Sequence, residues 1–395
     1  MNETTAEALP LDEALSAFAR AAAELVAEKY AMPSAAVTFE APRRSEFGDF
    51  ATNVAFTLAK NARRSPQQVA AELVDELDRA APQLKTSFSH IEAVAGFVNL
   101  RIAPSVWQAV IARILREGDR FGERPRNGRR VSLEFGSANP TGPLVVVQGR
   151  SMSIGATLTN AMRFCGYDVF VEWIINDAGG QLDALGRSVY ARYRRLYDPE
   201  YPFPDDGYPG EYLIPIARRI AEDDGDRWVG AAQNDWLPYF SKVSRDELVA
   251  QQQQTARRFG VEYDRWQSEA ELHESGKVKE GIERLRGLGL TYESDGALFF
   301  RATEFGDDKD RVLLRSDGRP TYFCMDVAYH YQKLKGSDRV VDILGPDHHG
   351  YIDRLKGMAS ALGYPDRLDV AIVQQVTLMR GREQVSMSKR AGEIV

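Results

Sequence analysis

The sequence contains little cysteine and no long apolar run. Among its 395 residues are two cysteines, Cys165 and Cys324, which lie in apolar segments without a Cys-x-x-Cys spacing. This pattern predicts two reduced thiols in the core of a cytoplasmic protein rather than a disulfide framework. The longest apolar runs fall far short of the roughly 20 residues that cross a membrane, so no membrane segment is expected.

A secretory signal and an excess of basic charge are also missing. The opening MNETTAEALPLDEAL is acidic and lacks the basic-then-apolar order of a signal peptide. The net charge of −7 argues against a general nucleic-acid binder, because neutralising phosphates requires local Lys and Arg. Basic clusters do occur at 124–130, at 192–195 and at Arg43 and Arg44. Each is either a solvated surface or an RNA contact, and composition alone does not decide between them.

The apolar patterning divides the chain into two predicted domains. An apolar fraction of 44% and a charged fraction of 27% are ordinary for a soluble globular protein, and the length suits two domains. Residues 1–120 form the first predicted domain, a small α+β module. Its signals are the helical spacing of Leu15, Phe18, Ala22 and Leu25, a helix start at Ser65 and Pro66, and a β pattern over 89–103.

From residue 121 onward, strands and helices alternate. A strand at 131–136, a helix at 148–165 and a strand at 168–175 make a βαβ unit, which requires a parallel sheet. We therefore predict an α/β fold over 121–395, a doubly wound parallel sheet of Rossmann type with an insertion around 195–310. The remaining predicted elements are helices at 211–222, 244–258, 276–287 and 350–362, Asp-Gly hairpins at 292–300 and 313–323, and strands at 339–345 and 369–379.

The loop SANPTGPL lies between the first predicted strand and a helix that begins near Gln148. In open parallel sheets, ligands bind beyond the carboxyl ends of the strands and beside helix amino termini. Ser137 and Asn139 have short polar side chains that suit such a site, Pro140 stiffens the loop, and Gly142 permits close approach. The same composition is also that of a plain turn, so the pattern alone leaves both interpretations open.

The segment VSMSKRAGEIV near residue 390 is the second candidate. Met387, Ser388, Lys389 and Arg390 follow a β-rich stretch. A loop with Lys and Arg can neutralise the charge that develops on ATP phosphates as pyrophosphate leaves. A solvated basic loop is the alternative.

Two further groups of polar residues follow predicted elements. Asp347, His348 and His349 come just after the strand VVDIL. Contact with a bound ligand is the favoured interpretation, since adjacent histidines diverge and no third zinc ligand is nearby. Tyr322 and Asp326 are four residues apart and share one face of a helix, where an aromatic ring beside a carboxylate suits a guanidinium group. A surface pair on an amphipathic helix is the alternative.

Taken in order, the motifs resemble one family. They are SANPTGPL…GR, NDAGGQ, YPGEYL, GDDKDRVLLRSDGRPTYF, DVAYH, GPDHHGYIDRLK and SMSKRAGEIV. This order is similar to that of the bacterial type of arginyl-tRNA synthetase, a class I aminoacyl-tRNA synthetase, and the likeness covers essentially the whole chain. EFGDFATNVAFTLAK and GFVNLRI resemble the additional N-terminal domain of that family, which contacts tRNA.

The resemblance implies a ligase that activates L-arginine with ATP, with Mg²⁺ as an expected companion, and transfers it to tRNA(Arg). It also implies a cytoplasmic monomer with no membrane contact. By the same resemblance, the arginine site comprises Ser137, Asn139, Gln148, Tyr322 and Asp326. The catalytic group comprises Met387, Ser388, Lys389 and Gln148, and the ATP site comprises Pro140, Gly142, Val145, Val147, Gln148, Gly149, Asp347, His348, His349 and Lys389.

The chain departs from the family pattern at the class signature. The family has His-x-Gly-His directly after SANPTGPL, whereas this sequence has Val145, Val146, Val147 and Gln148. Valine donates no hydrogen bond to phosphate, and the methyls of Val147 would intrude where adenine lies against glycine. Losing one preorganised donor costs on the order of 10² to 10³ in rate, so we expect impaired activity. The first lysine of KMSK is also replaced, by Ser386.

The resemblance leads us to expect a further helical anticodon-binding domain, which the sequence to Val395 does not include. Three hypotheses follow from these departures. The chain is an arginine–tRNA ligase, a catalytically inactive relative that binds arginine or tRNA, or an enzyme that adenylates arginine for another acceptor.

Overall fold

The computed structural model describes residues 10–30 and 37–385, apart from the side chains of His349 and Val385. The chain divides into two compact units between Gly122 and Glu123. No helix in the described ranges is both long and apolar enough to traverse a lipid bilayer.

The N-terminal unit is a three-stranded antiparallel sheet with helices packed on it. The strand order is β1–β3–β2, and β2 and β3 form a hairpin through Ala95 and Gly96, which both have positive φ. Its elements are α1 (Leu11–Tyr30), β1 (Phe50–Thr52), α2 (Val54–Ala62), α3 (Pro66–Ala80), β2 (Phe88–Val94), β3 (Phe97–Ile102) and α4 (Pro104–Glu117).

The helices of this unit follow local sequence signals. In α3 the Ser65 hydroxyl accepts from the Gln68 N–H at 3.2 Å, and the Gln68 side chain accepts from the Ser65 N–H at 3.1 Å. This capping box and Pro66 confirm the predicted helix start. Helix α1 buries Phe18 and Ala22 as predicted, but Leu15 and Leu25 are only half-buried. The fully buried face of α1 consists of Ala14, Phe18, Ala22 and Val26, so at each end of the helix the buried residue is the neighbour of the predicted leucine.

The C-terminal unit is built on a five-stranded parallel sheet in the order β11–β10–β4–β5–β6. From the central pair β4 and β10, the sheet is extended on one side by β5 and β6 and on the other side by β11. The predicted doubly wound α/β fold is therefore confirmed. Its sheet strands are β4 (Arg130–Phe135), β5 (Asp168–Ile175), β6 (Arg265–Ser268), β10 (Arg339–Leu344) and β11 (Leu368–Ile372). The strand order reverses between β4 and β10, and this is where ligands bind in folds of this kind.

The remaining elements of this unit cover the sheet or extend from it. A small antiparallel sheet β7–β8–β9 and a hairpin β12–β13 accompany the helices. The helices are α5 (Val146–Phe164), α6 (Gly180–Arg194), α7 (Ile214–Asp224), α8 (Gln233–Arg258), α9 (Glu269–Glu274), α10 (Lys277–Gly287), α11 (Tyr322–Gly336) and α12 (Ile352–Ala361). The additional strands are β7 (Thr291–Ser294), β8 (Ala297–Phe300), β9 (Arg311–Leu314), β12 (Leu378–Arg380) and β13 (Glu383–Val385).

The structure confirms a predicted hairpin here and corrects one expectation about a cysteine. The Asp-Gly hairpin closes between Leu313 and Thr321: the Thr321 N–H donates to the Leu313 carbonyl and the Arg315 N–H to the Arg319 carbonyl, both at 2.9 Å, and Leu314 bridges Pro320. Pro320 needs no N–H at this non-hydrogen-bonded position, and Thr321 then caps α11 by accepting from the Cys324 N–H at 3.2 Å. Cys165 is exposed rather than in the core, because it follows the last turn of α5.

Helix α5 approaches β4 closely because Gly155 has no side chain. A Cβ at this position would lie 2.1 Å from the ring of Phe135, which is 1% exposed. The contact places the helix directly over the central strand, and it thereby fixes where the amino end of α5 begins.

We expect Gly155→Ala to destabilise the C-terminal unit by about 1–3 kcal/mol, because the added methyl overpacks against Phe135. Gly287→Ala in α10 is the matched control, since nothing lies within 4 Å of its Cβ position. Thermal unfolding of both variants beside the parent chain measures the difference. Equal midpoints for the two variants would contradict the packing argument.

Candidate active site

A cavity of about 850 Å³ opens at the carboxyl ends of β4, β5 and β10. The amino ends of α5 and α11 and the segment Pro346–Tyr351 complete its wall. The predicted site residues that line it are Ser137, Asn139, Val145, Val147, Gln148, Tyr322, Asp326, Asp347 and His348. Residues from four separate parts of the sequence therefore share one space.

Other predicted site residues lie elsewhere. Pro140 and Gly142 are buried beneath α8, whose Gln252 donates to the Gly142 carbonyl at 2.8 Å, and neither lines the cavity. Gly149 also does not line the cavity. Met387, Ser388, Lys389 and the side chain of His349 fall outside the described residues.

The polar loop after β4 is held by its neighbours. Ser137 donates to the Glu134 carboxylate and accepts from the Ile174 N–H, both at 3.1 Å. The Asn139 amide donates to Gln181 at 2.8 Å and accepts from Asn176 at 3.1 Å. Both side chains are therefore oriented before any ligand arrives, which is what a preorganised binding loop requires.

Tyr322 and Asp326 occupy the same face of the first turns of α11. Tyr322 is 73% exposed and its ring forms part of the cavity rim. Asp326 lies deeper, and its carboxylate accepts a hydrogen bond from the Tyr351 hydroxyl at 2.5 Å. Burial raises the pKa of Asp326, although the charge of His330 and the Tyr351 bond act in the opposite direction. A cationic ligand would stabilise the ionised form.

Glu269 is a second cavity carboxylate, and sequence reasoning missed it. It begins α9, is 9% exposed, and its pKa is raised to about 7 by burial and by the charges of Asp326 and Asp177. Asp177 fixes this helix start by accepting from the Ser268 hydroxyl at 2.8 Å and the Ala270 N–H at 3.1 Å. In the sequence, QSEAEL is indistinguishable from an ordinary capped helix start, so no local signal could have identified it.

The floor of the cavity contains a buried charge cluster that was also missed. The Lys333 ammonium donates to the Glu134 carboxylate at 2.9 Å and to Asp342. His330 contacts the other oxygen of Asp342 at 2.8 Å. The available signal was a carboxylate inside each of two apolar strands, VSLEF and RVVDIL, since such residues are buried only with partners.

The amino end of α5 presents apolar groups to the cavity. Val145 precedes the helix, and Val145 and Val147 both line the cavity. The Gln148 side chain turns back to accept from the Val145 N–H at 3.1 Å. This is half of a capping box, because valine has no acceptor with which to complete it. The wall beside the helix terminus therefore consists of methyl groups and one amide.

Comparison with known proteins places this geometry in a family. The family model of the arginyl-tRNA synthetase N-terminal domain matches residues 12–102, and the model of the class I (R) tRNA synthetase catalytic domain matches 230–395. Among curated proteins, an arginine–tRNA ligase of Syntrophotalea carbinolica is 42% identical over 363 residues, which are 91% of this chain and 65% of that protein. One from Desulfosudis oleivorans is 41% identical over 392 residues, 98% of this chain and 70% of that protein.

Solved structures agree with the sequence comparison. The Thermus thermophilus arginyl-tRNA synthetase shares the fold with a TM-score of 0.67 at 20% identity, over 91% of this chain and 65% of that chain. The structure described as a putative arginyl-tRNA synthetase from Campylobacter jejuni also has a TM-score of 0.67, at 30% identity over 73% of this chain and 63% of that chain.

The doubly wound sheet with its site at the β4–β10 reversal defines a class I aminoacyl-tRNA synthetase. Within this class, the chain belongs to the arginyl-tRNA synthetase family. It spans about two thirds of the length of the curated relatives that it matches, 65% in the first of them.

We expect Glu269→Gln to stabilise the unliganded protein at pH 8. A carboxyl whose pKa is raised by folding is penalised once it ionises, so the stabilisation is on the order of 2 kcal/mol above pH 7. It decreases as the pH falls and vanishes well below the ordinary pKa of 4.5, where the carboxyl is protonated in both the folded and the unfolded chain. Thermal unfolding across this pH range measures it, with the exposed Glu274→Gln on the same helix as control. A gain that does not depend on pH would contradict the assignment.

Proposed function

We propose that this chain binds L-arginine and ATP in the cavity, forms arginyl-adenylate and transfers arginine to tRNA(Arg). This is the reaction named for its curated relatives, the arginine–tRNA ligases. The observation that carries the proposal is that Asn139, Tyr322 and Asp326, from distant parts of the sequence, line one cavity at the strand-order reversal. The family likeness supports the magnesium complex of ATP as the substrate, and a monomer acting in the cytoplasm.

The acidic end of the cavity suits a guanidinium group. Asp326 and Glu269 both line it, and the charge of Asp326 helps to raise the pKa of Glu269. A planar cation that donates to both carboxylates would remove this repulsion and favour their ionised forms. The ring of Tyr322 at the rim offers a face for cation–π contact. An arginine side chain satisfies all three features.

The polar loop suits the other end of the amino acid. Ser137 and Asn139 are held in place by Glu134, Ile174, Gln181 and Asn176, so the polar groups of this loop face the cavity in a fixed orientation. A zwitterionic amino acid bound there has its carboxylate near the amino end of α5, where the helix dipole favours negative charge.

Adenylate formation follows from this placement. A carboxylate oxygen of arginine attacks the α-phosphorus of ATP, the bond to the bridging oxygen breaks, and pyrophosphate leaves with its electron pair. Asp347 and His348 line the same cavity, and the proposal assigns them to the nucleotide. The proposed role of Lys389, with Met387 and Ser388, is to neutralise charge on the departing phosphates.

One feature of the cavity wall defines a second candidate function to be tested. Val145 and Val147 line the cavity where the family has residues that donate to phosphate or admit adenine. A wall of methyl groups does not stabilise a phosphate transition state, so a protein that binds arginine without efficient activation is the alternative. Both candidates share the arginine site and differ in the rate of adenylate formation.

We expect Asp326→Asn to weaken L-arginine binding about 100-fold or more, because the guanidinium loses a buried charged partner. Isothermal titration calorimetry measures this, with Asp353→Asn on the exposed surface of α12 as the matched control. L-Citrulline, whose uncharged ureido group replaces the guanidinium, should not bind the parent chain. Undiminished affinity in Asp326→Asn would remove the guanidinium assignment.

We expect the combined change Val145→His, Val147→Gly and Gln148→His to raise ATP–pyrophosphate exchange about 100-fold or more with arginine and tRNA present. Restored donors stabilise phosphate charge only in the transition state, so arginine affinity should change little. Val146→His is the matched control, because Val146 is next in sequence but does not line the cavity. An unchanged exchange rate would contradict the argument that these three positions limit activation, whereas the rate of the parent chain itself separates the two candidate functions.

A further inference from the structure

His330 lies in the cavity floor between the arginine-binding helix and the central sheet. It is 5% exposed and lines the cavity. Its Nδ1 is 2.8 Å from the main-chain carbonyl oxygen of Asp326, one turn earlier in α11, and its Nε2 is 2.8 Å from an Asp342 carboxylate oxygen in β10. The imidazole therefore joins the turn that carries Asp326 to the strand beneath it.

The partners of His330 determine its protonation. A carbonyl oxygen only accepts hydrogen bonds, so Nδ1 must carry a proton. The Asp342 carboxylate also receives the Lys333 ammonium, which keeps it ionised, so Nε2 must carry a proton as well. With both nitrogens donating, the ring is an imidazolium.

The charges around His330 are consistent with this state. Lys333, Arg265 and an imidazolium at His330 balance the carboxylates of Glu134, Glu172 and Asp342, three positive charges against three negative ones. Burial alone would lower the pKa of His330, but the charge and hydrogen bond of Asp342 raise it above its ordinary value. The titratable groups that face this ring or its partners are Asp326, Tyr329 and Lys333 from α11, Asp342 from β10, Glu134 from β4, Glu172 from β5, Glu269 from α9 and Tyr351 before α12.

We propose that His330 is a positioning residue, an imidazolium that holds the first turns of α11 in register with β10 and sets a positive charge beside the Asp326 turn of the arginine site. The proposal rests on the arginine site of the proposed function. His330 acts in two ways: its Nδ1–H fixes the peptide that follows Asp326, and its charge opposes the burial that favours protonation of the Asp326 carboxyl.

The variant His330→Gln separates these effects from general damage. The glutamine amide nitrogen donates toward one partner while its oxygen faces the other, and its charge is zero, so it cannot replace an imidazolium that donates in two directions. Without the positive charge, the pKa of Asp326 rises further, and the carboxyl is protonated over more of the acidic range.

We therefore expect L-arginine to bind His330→Gln about tenfold to a hundredfold more weakly at pH 6. The ratio of variant to parent dissociation constants should shrink as the pH rises to 8.5, because a rising pH favours the ionised Asp326 carboxyl in the variant as well. His273→Gln, an exposed histidine on α9, is the matched control and should give a ratio near one throughout. Because the charge of Asp326 also acts on Glu269, the same ratio is measured in a Glu269→Gln background, which removes the titration of Glu269 from the comparison.

Histidine-selective ¹⁵N NMR of the parent chain tests the charge directly and needs no variant at His330. The chain has five histidines, and His330 is assigned by replacing the other four with Gln one at a time. At pH 8 both ring nitrogens of His330 should show imidazolium shifts, whereas a histidine with an ordinary pKa near 6.5 is almost wholly neutral there.

The outcomes separate this proposal from the proposed function. An imidazolium at pH 8 together with a ratio that falls with pH supports the positioning role. Neutral shifts for His330, a ratio of one, or a ratio that is constant with pH would overturn it while leaving arginine binding intact. If the parent chain binds no L-arginine at all, the proposed function fails, and an imidazolium found at His330 would then be a structural feature of the sheet only.

Discussion

The buried ammonium of Lys333 is the interaction on which the cavity depends. Its side chain is fully buried and lies between Glu134 of β4 and Asp342 of β10, the two strands at which the sheet order reverses. A buried charge is tolerated only when it is paired, and removing one partner of such a pair costs about 3–5 kcal/mol. Because Lys333 belongs to α11, one cation sets the position of Tyr322 and Asp326 relative to both strands.

The cavity has two ends of different chemistry. Near α11, the carboxylates of Asp326 and Glu269 are held in place by Tyr351 and by the Asp177 contacts at the start of α9. Near α5, the wall consists of valine side chains beside a helix amino terminus. One end therefore attracts a cation strongly, while the other retains the helix dipole but little side-chain polarity.

Much of this architecture could be predicted from sequence, because it depends on local patterns. Strands β4, β5 and β10 are mostly apolar, α3 has its capping box, and polar residues that follow buried strands lie at the same edge of the sheet. The rest depends on contacts between distant residues. Lys333 and Glu134 are 199 positions apart, and no local pattern relates them. Glu269 reaches the cavity only because Asp177 fixes the start of α9. Cys165 was misplaced because its apolar neighbours belong to a helix that ends just before it.

Under the proposed function, the valines of α5 act on a different step from the carboxylates of Asp326 in α11 and Glu269 in α9, so binding and catalysis are separated within one cavity. In this proposal, arginine affinity depends on Asp326, Glu269 and Tyr322, which contact the substrate in its ground state and belong to α9 and α11 rather than to α5. Phosphate donors lower the barrier only as charge develops on ATP, so their replacement changes the rate and leaves ground-state binding of arginine largely intact. The helix amino end remains at the cavity, because Gly155 seats α5 on β4 whatever residues form its first turn. The substitution at 145–148 therefore alters the chemistry of one wall without removing the fold that positions it.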